Sequence, residues 1–160
     1  MAEAVIKSQG TELYFHSLTT SGGAPTKVVC ITSIDGLGGA RDQIDTTCLD
    51  NTGDRTFTGG LGNPGQVTIP FNVHKNELSH EELFALKDSG ETVSWGIYSS
   101  DGVGVPTVDS NGELQQVAGR ASLRFEGYVS DLAISVQGND IWKGTITIQR
   151  SGNVQADLSV

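Results

Sequence analysis

The sequence predicts a mainly β protein, an antiparallel β-sandwich or barrel with one flanking α-helix and long projecting loops. Three observations carry that expectation. Short β-branched and aromatic runs recur between Gly, Asp and Asn turns. Val67, Ile69, Phe71 and Val73 alternate with Gln66, Thr68, Pro70 and Asn72, as a half-buried strand requires. Only one segment carries both a helix start and a helix stop. Helices do not alternate with strands, which argues against a doubly wound parallel sheet. A chain of 160 residues fits a single domain spanning 1–160, and a chain of that size buries roughly 70% of the surface its unfolded form exposes.

In chain order, Glu12-Leu13-Tyr14-Phe15-His16 and Lys27-Val28-Val29-Cys30-Ile31-Thr32-Ser33-Ile34 read as strands, bounded by Ser21-Gly22-Gly23 and Asp35-Gly36. Between 35 and 63 the apolar alternation fades while Gly, Thr and Asp accumulate, which predicts a long ordered excursion rather than a packed element. Loops of that length are usually functional or disordered. Pro64-Gly65 restarts order, and Pro70 places the strand at 66–73 on an edge or at a bulge, because proline cannot donate to a ladder. Ser79 is then the expected N-cap, with Glu82 three residues later, an apolar stripe of Leu83, Phe84 and Leu86, and Gly90 closing the segment. Strands follow at 92–99, at 120–135 as one long or bent strand, and at 141–149, the last two joined through Gly138-Asn139-Asp140. Residues 100–119 hold Asp101-Gly102, Pro106 and Asn111-Gly112, which predicts a second projecting loop or a loosely paired ribbon. The tail from Ser151 has no strong periodicity. Trp95 and Trp142 both fall in strand patterns, where core or sheet packing is expected.

Composition narrows the function. A chain that is 36% hydrophobic and 18% charged, with 21 glycines in no strict period, is turn-rich and globular rather than disordered or collagen-like. It shows neither a basic-then-apolar leader nor about 18 consecutive apolar residues, so a cytosolic product without a membrane anchor is expected. Nineteen acidic residues against ten basic ones give a net charge of −9, which on balance repels a phosphate backbone. That charge suits a conduit along which DNA slides better than a DNA binder, and it equally suits a small domain that must stay soluble.

No motif for catalysis emerges. His16, His74 and His80 match no metal-binding spacing; His16 closes a strand and His80 lies beside the N-cap, where solvated or locally hydrogen-bonded rings are expected. His74 and His80 flank a strand-to-helix junction and could approach, but no third ligand stands at a diagnostic distance. Cys30 and Cys48 lack CxxC spacing and are expected as two reduced thiols. Gly36-Leu37-Gly38-Gly39 lacks the lysine of a phosphate-binding loop and opens no helix. Serines stand in no nucleophile elbow. Asp42, Asp45, Asp50 and Asp54 lack the spacing of a calcium loop, and Glu81 and Glu82 diverge in direction and suit a helix N-terminus. No catalytic, cofactor or metal site is expected.

The segment Ile44-Asp45-Thr46-Thr47-Cys48-Leu49-Asp50 lies between Gly36-Leu37-Gly38-Gly39 and Phe57-Thr58-Gly59-Gly60-Leu61. It resembles the signature loop of phage tail tube proteins, with the pattern Ile-Asp-x-Thr-x-Leu-Asp. Gly10-Thr11-Glu12-Leu13-Tyr14 is similar to the first-strand entry of the siphophage members of that family. Trp95-Gly96-Ile97 with Asp101-Gly102 resembles their central strand and turn, and Phe125-Glu126-Gly127-Tyr128-Val129-Ser130 resembles their penultimate strand. The likeness holds in order across nearly the whole chain.

The resemblance implies a structural virion protein and not an enzyme. Its subunits would form hexameric rings that stack into a tail tube around the tape measure protein, between tail terminator and tail tip proteins. Phage DNA would pass through without specific binding, and assembly would take place in the host cytoplasm. Type VI secretion tubes and contractile-phage inner tubes share the fold, and the loop pattern favours the non-contractile version. On this reading the excursion at about 35–63 reaches a neighbouring subunit. Ile44, Leu49, Phe57 and Leu61 would supply the apolar contact, with Asp45, Asp50 and Arg55 as the polar rim that sets register. Such a loop is expected to be mobile in the monomer and to order on assembly. Two other readings stay open: a free-standing β-sandwich ligand-binding module, such as an adhesin or carbohydrate-recognition domain using the loops at 35–63 and 101–119, and another ring-forming tail component such as a tail terminator.

Overall fold

The computed structural model describes residues 4–17 and 23–159; Ser21 and Gly22, part of the first expected turn, lie outside them. Its elements run β1 (Glu12–His16), β2 (Thr26–Val28), β3 (Gly39–Asp45), β4 (Phe57–Pro64), β5 (Gln66–Asn72), α1 (Leu78–Ser89), β6 (Val93–Tyr98), β7 (Ser122–Ser135) and β8 (Lys143–Asp157). Six strands pair in the order β2-β1-β6-β7-β8-β5, and β3 with β4 makes a separate two-stranded sheet. Every pairing is antiparallel.

One short segment serves both edges of the large sheet. Val28 still pairs with Leu13 of β1, but Cys30, at φ 59, turns the chain away. Residues 30–35 then run along β5: Asn72 N–H donates to the Cys30 carbonyl at 3.0 Å and Thr32 N–H to the Pro70 carbonyl at 2.9 Å. Thr68 and Asp35 exchange N–H···O bonds at 2.9 and 3.0 Å. The sheet is thereby rolled into a barrel whose edges are both occupied. The expected single strand at 27–34 is thus two short pairings on opposite edges. Pro70 is tolerated because position 70 of β5 turns its nitrogen toward residues 30–35, so no bond to β8 is lost.

The inside of the barrel is apolar. Leu13, Phe15, Ile69, Phe71, Trp95, Phe125, Ile146 and Ile148 are buried together, and full burial of side chains of this size stabilises by roughly 1.5–3 kcal/mol each. Trp95 satisfies its indole by donating to the Gly127 carbonyl at 3.1 Å. Gly144 is required by packing, since a Cβ there would run into the Phe71 ring.

Three expectations about individual residues are corrected. Trp142 is 58% exposed rather than packed, because it sits just ahead of β8 and outside its alternation. In α1, Leu83 and Leu86 face the core while Phe84 points out, since successive helical residues are a quarter-turn or more apart. The helix begins earlier than expected. Glu77, extended at φ −101 and ψ 108, is the N-cap, and its carboxylate accepts from the Ser79 N–H at 3.4 Å and the Ser79 hydroxyl at 3.1 Å. Gly90 closes the helix in the left-handed region at φ 66, its N–H bonded to the Leu86 carbonyl.

The tail beyond Ser151 is also strand. Two register shifts in the β7–β8 pair, at Arg124/Glu126 and Val129/Asp131, let the ladder continue to Asp157, and they break the periodicity that a sequence reading relies on. Residues 100–119 fold back over the outer face of the sheet instead of projecting. Tyr14, Tyr98 and Leu114 form a second apolar cluster there, with Val108 and Val117 against it. The Tyr98 hydroxyl donates to the Gln115 carbonyl at 2.8 Å, and Leu114 N–H donates to Ser94 Oγ at 3.0 Å. Burial pushes the Tyr98 phenol up to about 12. His16 Nδ1 donates to the distant Gly112 carbonyl at 3.0 Å, so its ring is buried rather than solvated. His80 is likewise buried; it accepts the His74 N–H on Nδ1 at 3.2 Å and donates from Nε2 to the Val29 carbonyl at 2.9 Å. Cys30 and Cys48 are free and exposed.

Arg120 fixes where this cover starts. Its guanidinium is buried, donates to the Ser99 and Gly104 carbonyls at 2.7 Å each, and meets Glu12 at 3.2 Å. Burial alone would raise the Glu12 carboxyl. Hydrogen bonds from Lys27, Tyr14 and Arg120, with the Lys27 charge, outweigh it and hold the group below its usual value of 4.5.

Two outcomes check this packing. Gly144→Ala is expected to lower stability by about 1–3 kcal/mol through overpacking against Phe71, read as a lower urea midpoint. Because the Glu12 carboxyl is depressed in the folded state, its contribution is fully present above about 4.5 and is lost as pH falls through the folded value. Glu12→Gln should therefore flatten the acid limb of the stability curve below that pH.

Candidate assembly surface

The excursion at 35–63 is built mostly as an internally bonded hairpin. Gly39 pairs with Pro64, Ile44 with Thr58 and Asp45 with Phe57. Opposite Asp42 the register slips and β4 carries an extra residue at Gly60-Leu61, a bulge that bends the ribbon. The threonines that looked like loop composition bond across its far end. Thr46 N–H donates to the Thr56 carbonyl at 2.9 Å, and Thr56 N–H to Thr47 Oγ1 at 2.9 Å. Asn51 organises the connection, accepting from the Gly53 N–H at 2.9 Å and donating to the Asp54 carbonyl at 3.0 Å.

The hairpin is anchored at its root by two consecutive residues of β8. Arg150, with its side chain buried, donates from Nη1 to the Leu37 carbonyl at 3.2 Å and from Nη2 to the Gly38 carbonyl. Gln149 Nε2 donates to the Pro64 carbonyl at 3.3 Å, and Arg150 N–H to the Gly65 carbonyl at 3.4 Å. Both strands of the ribbon are thus held where they leave the barrel. Gly36 turns the chain into the root at φ 94, where a Cβ would run into the Gln66 carbonyl. Sequence reading missed Arg150 as an anchor. The signal was present in the parity of β8, which places Arg150 on the same inward face as Ile146 and Ile148.

Each residue expected at an inter-subunit contact lies on this ribbon and is exposed. Ile44 and Phe57 are about half exposed, Leu61 is 84% exposed and Leu49 is fully exposed. Ile44 stands opposite Thr58 and Phe57 opposite Asp45, so these two apolar side chains leave from opposite faces. The Asp45 carboxylate accepts the Thr47 N–H at 2.9 Å, and hydrogen bonds from the Thr47 side chain and backbone hold it below its usual value. Asp50 and Arg55 flank the far turn, and among the described residues neither forms an ion pair within the chain.

Among the described residues, no group of three or more His, Cys, Asp or Glu could hold a metal ion, and no helix is long and apolar enough to cross a membrane. His74 and His80 do approach, with ring centroids 6.2 Å apart.

Comparison with known proteins agrees with this architecture. The family described as phage tail tube, TTP, lambda-like, matches residues 4–159. Structural protein 3 of Pseudomonas phage PAJU2 is 37% identical over 157 residues, which covers 92% of this chain and 91% of that protein. The SPP1 tail tube superposes with a TM-score of 0.70 at 9% identity, over 97% of this chain and 81% of that one. The tail of an empty GTA particle, reconstructed with C6 symmetry, gives 0.66 at 12% identity, over 96% and 99%. At those identities the two structures show a shared fold.

The root geometry makes a direct prediction. Arg150→Met should leave the Leu37 and Gly38 carbonyls without their donor and cost about 1–3 kcal/mol. Amide hydrogen exchange should accelerate in 39–64 more than in β6 and β7, if Arg150 is the anchor of the hairpin.

Proposed function

The chain belongs to the lambda-like phage tail tube family, and from that premise we propose that it polymerises as stacked hexameric rings, with the β3–β4 hairpin reaching into a neighbouring subunit. Membership makes it a structural protein of the virion tail. The observation that carries the hairpin's role is the exposure of Ile44, Leu49, Phe57 and Leu61 on a ribbon anchored at its root. A two-stranded ribbon is marginal alone in water, and apolar groups on its two faces gain burial only against another surface.

In the proposed tube, Asp45, Asp50 and Arg55 form the polar rim of that contact, where opposite charges fix register more than they add affinity. The contact is heterologous, so it repeats along an axis instead of closing on itself. Six-fold rings agree with the C6 symmetry used for the GTA particle tail. The net charge of −9 suits a wall along which DNA passes without being held. The tape measure protein fills the lumen during assembly in the host cytoplasm, and terminator and tip proteins bound the two ends.

Leu49→Asp and Phe57→Asp are expected to abolish tubes in negative-stain images while shifting the monomer's unfolding free energy by no more than about 0.5 kcal/mol, as exposed positions do. Tubes at the unmodified yield would remove the hairpin from the contact.

A further inference from the structure

The barrel has two unlike ends. At one, Glu12, Tyr98, Ser122 and Asp157 stand in a single paired row; at the other, Asn72, Lys143 and Ser135 do. The helix packs on β7 and β2 and contributes Leu83 and Leu86 to the core. At the first end a cavity of about 350 Å³ opens, with Ile31, Ile34, Leu37, Ile97 and Leu123 in its wall and Leu158 at its rim. At the second end the turn between β7 and β8 carries Val136, Ile141 and Trp142, each more than half exposed.

We propose that, in the assembled tube, the β7–β8 turn of one copy inserts Trp142 into the end cavity of the next copy. This inference rests on the tube reading and names a second contact surface for it. Protrusion and recess lie at opposite ends of the same two strands, the arrangement that a repeating head-to-tail contact requires. The 14 residues of β7 separate them by roughly 45 Å at the usual strand rise. An indole on an exposed turn is a suitable anchor for an apolar pocket, because it brings large contact area at low entropic cost. The cavity is also continuous with the hairpin surface, since Leu37 lines it and is gripped at the hairpin root by Arg150.

Tryptophan fluorescence tests the contact in unmodified protein, because Trp95 is fully buried and Trp142 is the accessible indole. Acrylamide quenching should be strong in the monomer and should fall, in tubes, to the level of monomeric Trp142→Phe. Quenching of Trp142 that persists in tubes overturns the contact and leaves the tube reading standing; failure of unmodified protein to form tubes counts against the tube reading itself. In a Cys30→Ser, Cys48→Ser background, tubes of Ile34→Cys, Trp142→Cys protein should oxidise to a ladder of covalent multimers. Tubes that yield only monomer after oxidation overturn the contact even where Trp142 is protected.

Discussion

Two buried guanidinium groups constrain this structure more than any other polar feature. A charge taken out of water is costly unless it is paired, and Arg120 and Arg150 are paired chiefly with backbone carbonyls, although the buried Nε of Arg150 has no acceptor among the described residues. Arg150 takes the Leu37 and Gly38 carbonyls, and so determines where the β3–β4 ribbon leaves the barrel. Arg120 takes those of Ser99 and Gly104, and so holds the segment 100–119 down on the sheet. Backbone acceptors make this geometry depend on chain path, which at position 104 requires glycine at φ 133. The ribbon can carry exposed apolar groups because its footing does not depend on them.

Much of the fold was legible in the sequence. Alternation at Val67, Ile69 and Phe71 placed β5, Pro70 indicated an edge or a bulge and β5 ends the sheet order, and Gly90 ended the helix as expected. Several of the errors come from tertiary contact that local pattern does not encode. Residues 27–34 read as one strand, yet the turn at Cys30 divides them between two edges. The register shifts in β7–β8 hid the continuation of the final strand beyond 149, while the cap error is local, since Glu77 stands two residues ahead of Ser79 and takes the role expected of it.

At the candidate surface, the sequence located the residues and not their structure. Ile44, Leu49, Phe57 and Leu61 were picked out as apolar groups distant from any local core, and each is exposed. The excursion was read as a loop because β3 and β4 are rich in Gly and polar residues, which weakens β-propensity. Cross-strand bonding, reinforced by Thr46, Thr47 and Thr56, supplies the order that propensity lacks. Trp142 shows the converse error, since its strand-like setting suggested packing that the chain does not provide.

The central claim is that this chain assembles head to tail with the β3–β4 ribbon against a neighbouring copy. Cryo-electron microscopy of the purified protein, concentrated until it polymerises and reconstructed with helical symmetry, tests it most directly. The account predicts a hollow six-fold tube in which Ile44, Leu49, Phe57 and Leu61 are covered by an adjacent subunit. A tube in which that ribbon stands free in solvent, or a chain that stays monomeric at every concentration, would contradict it.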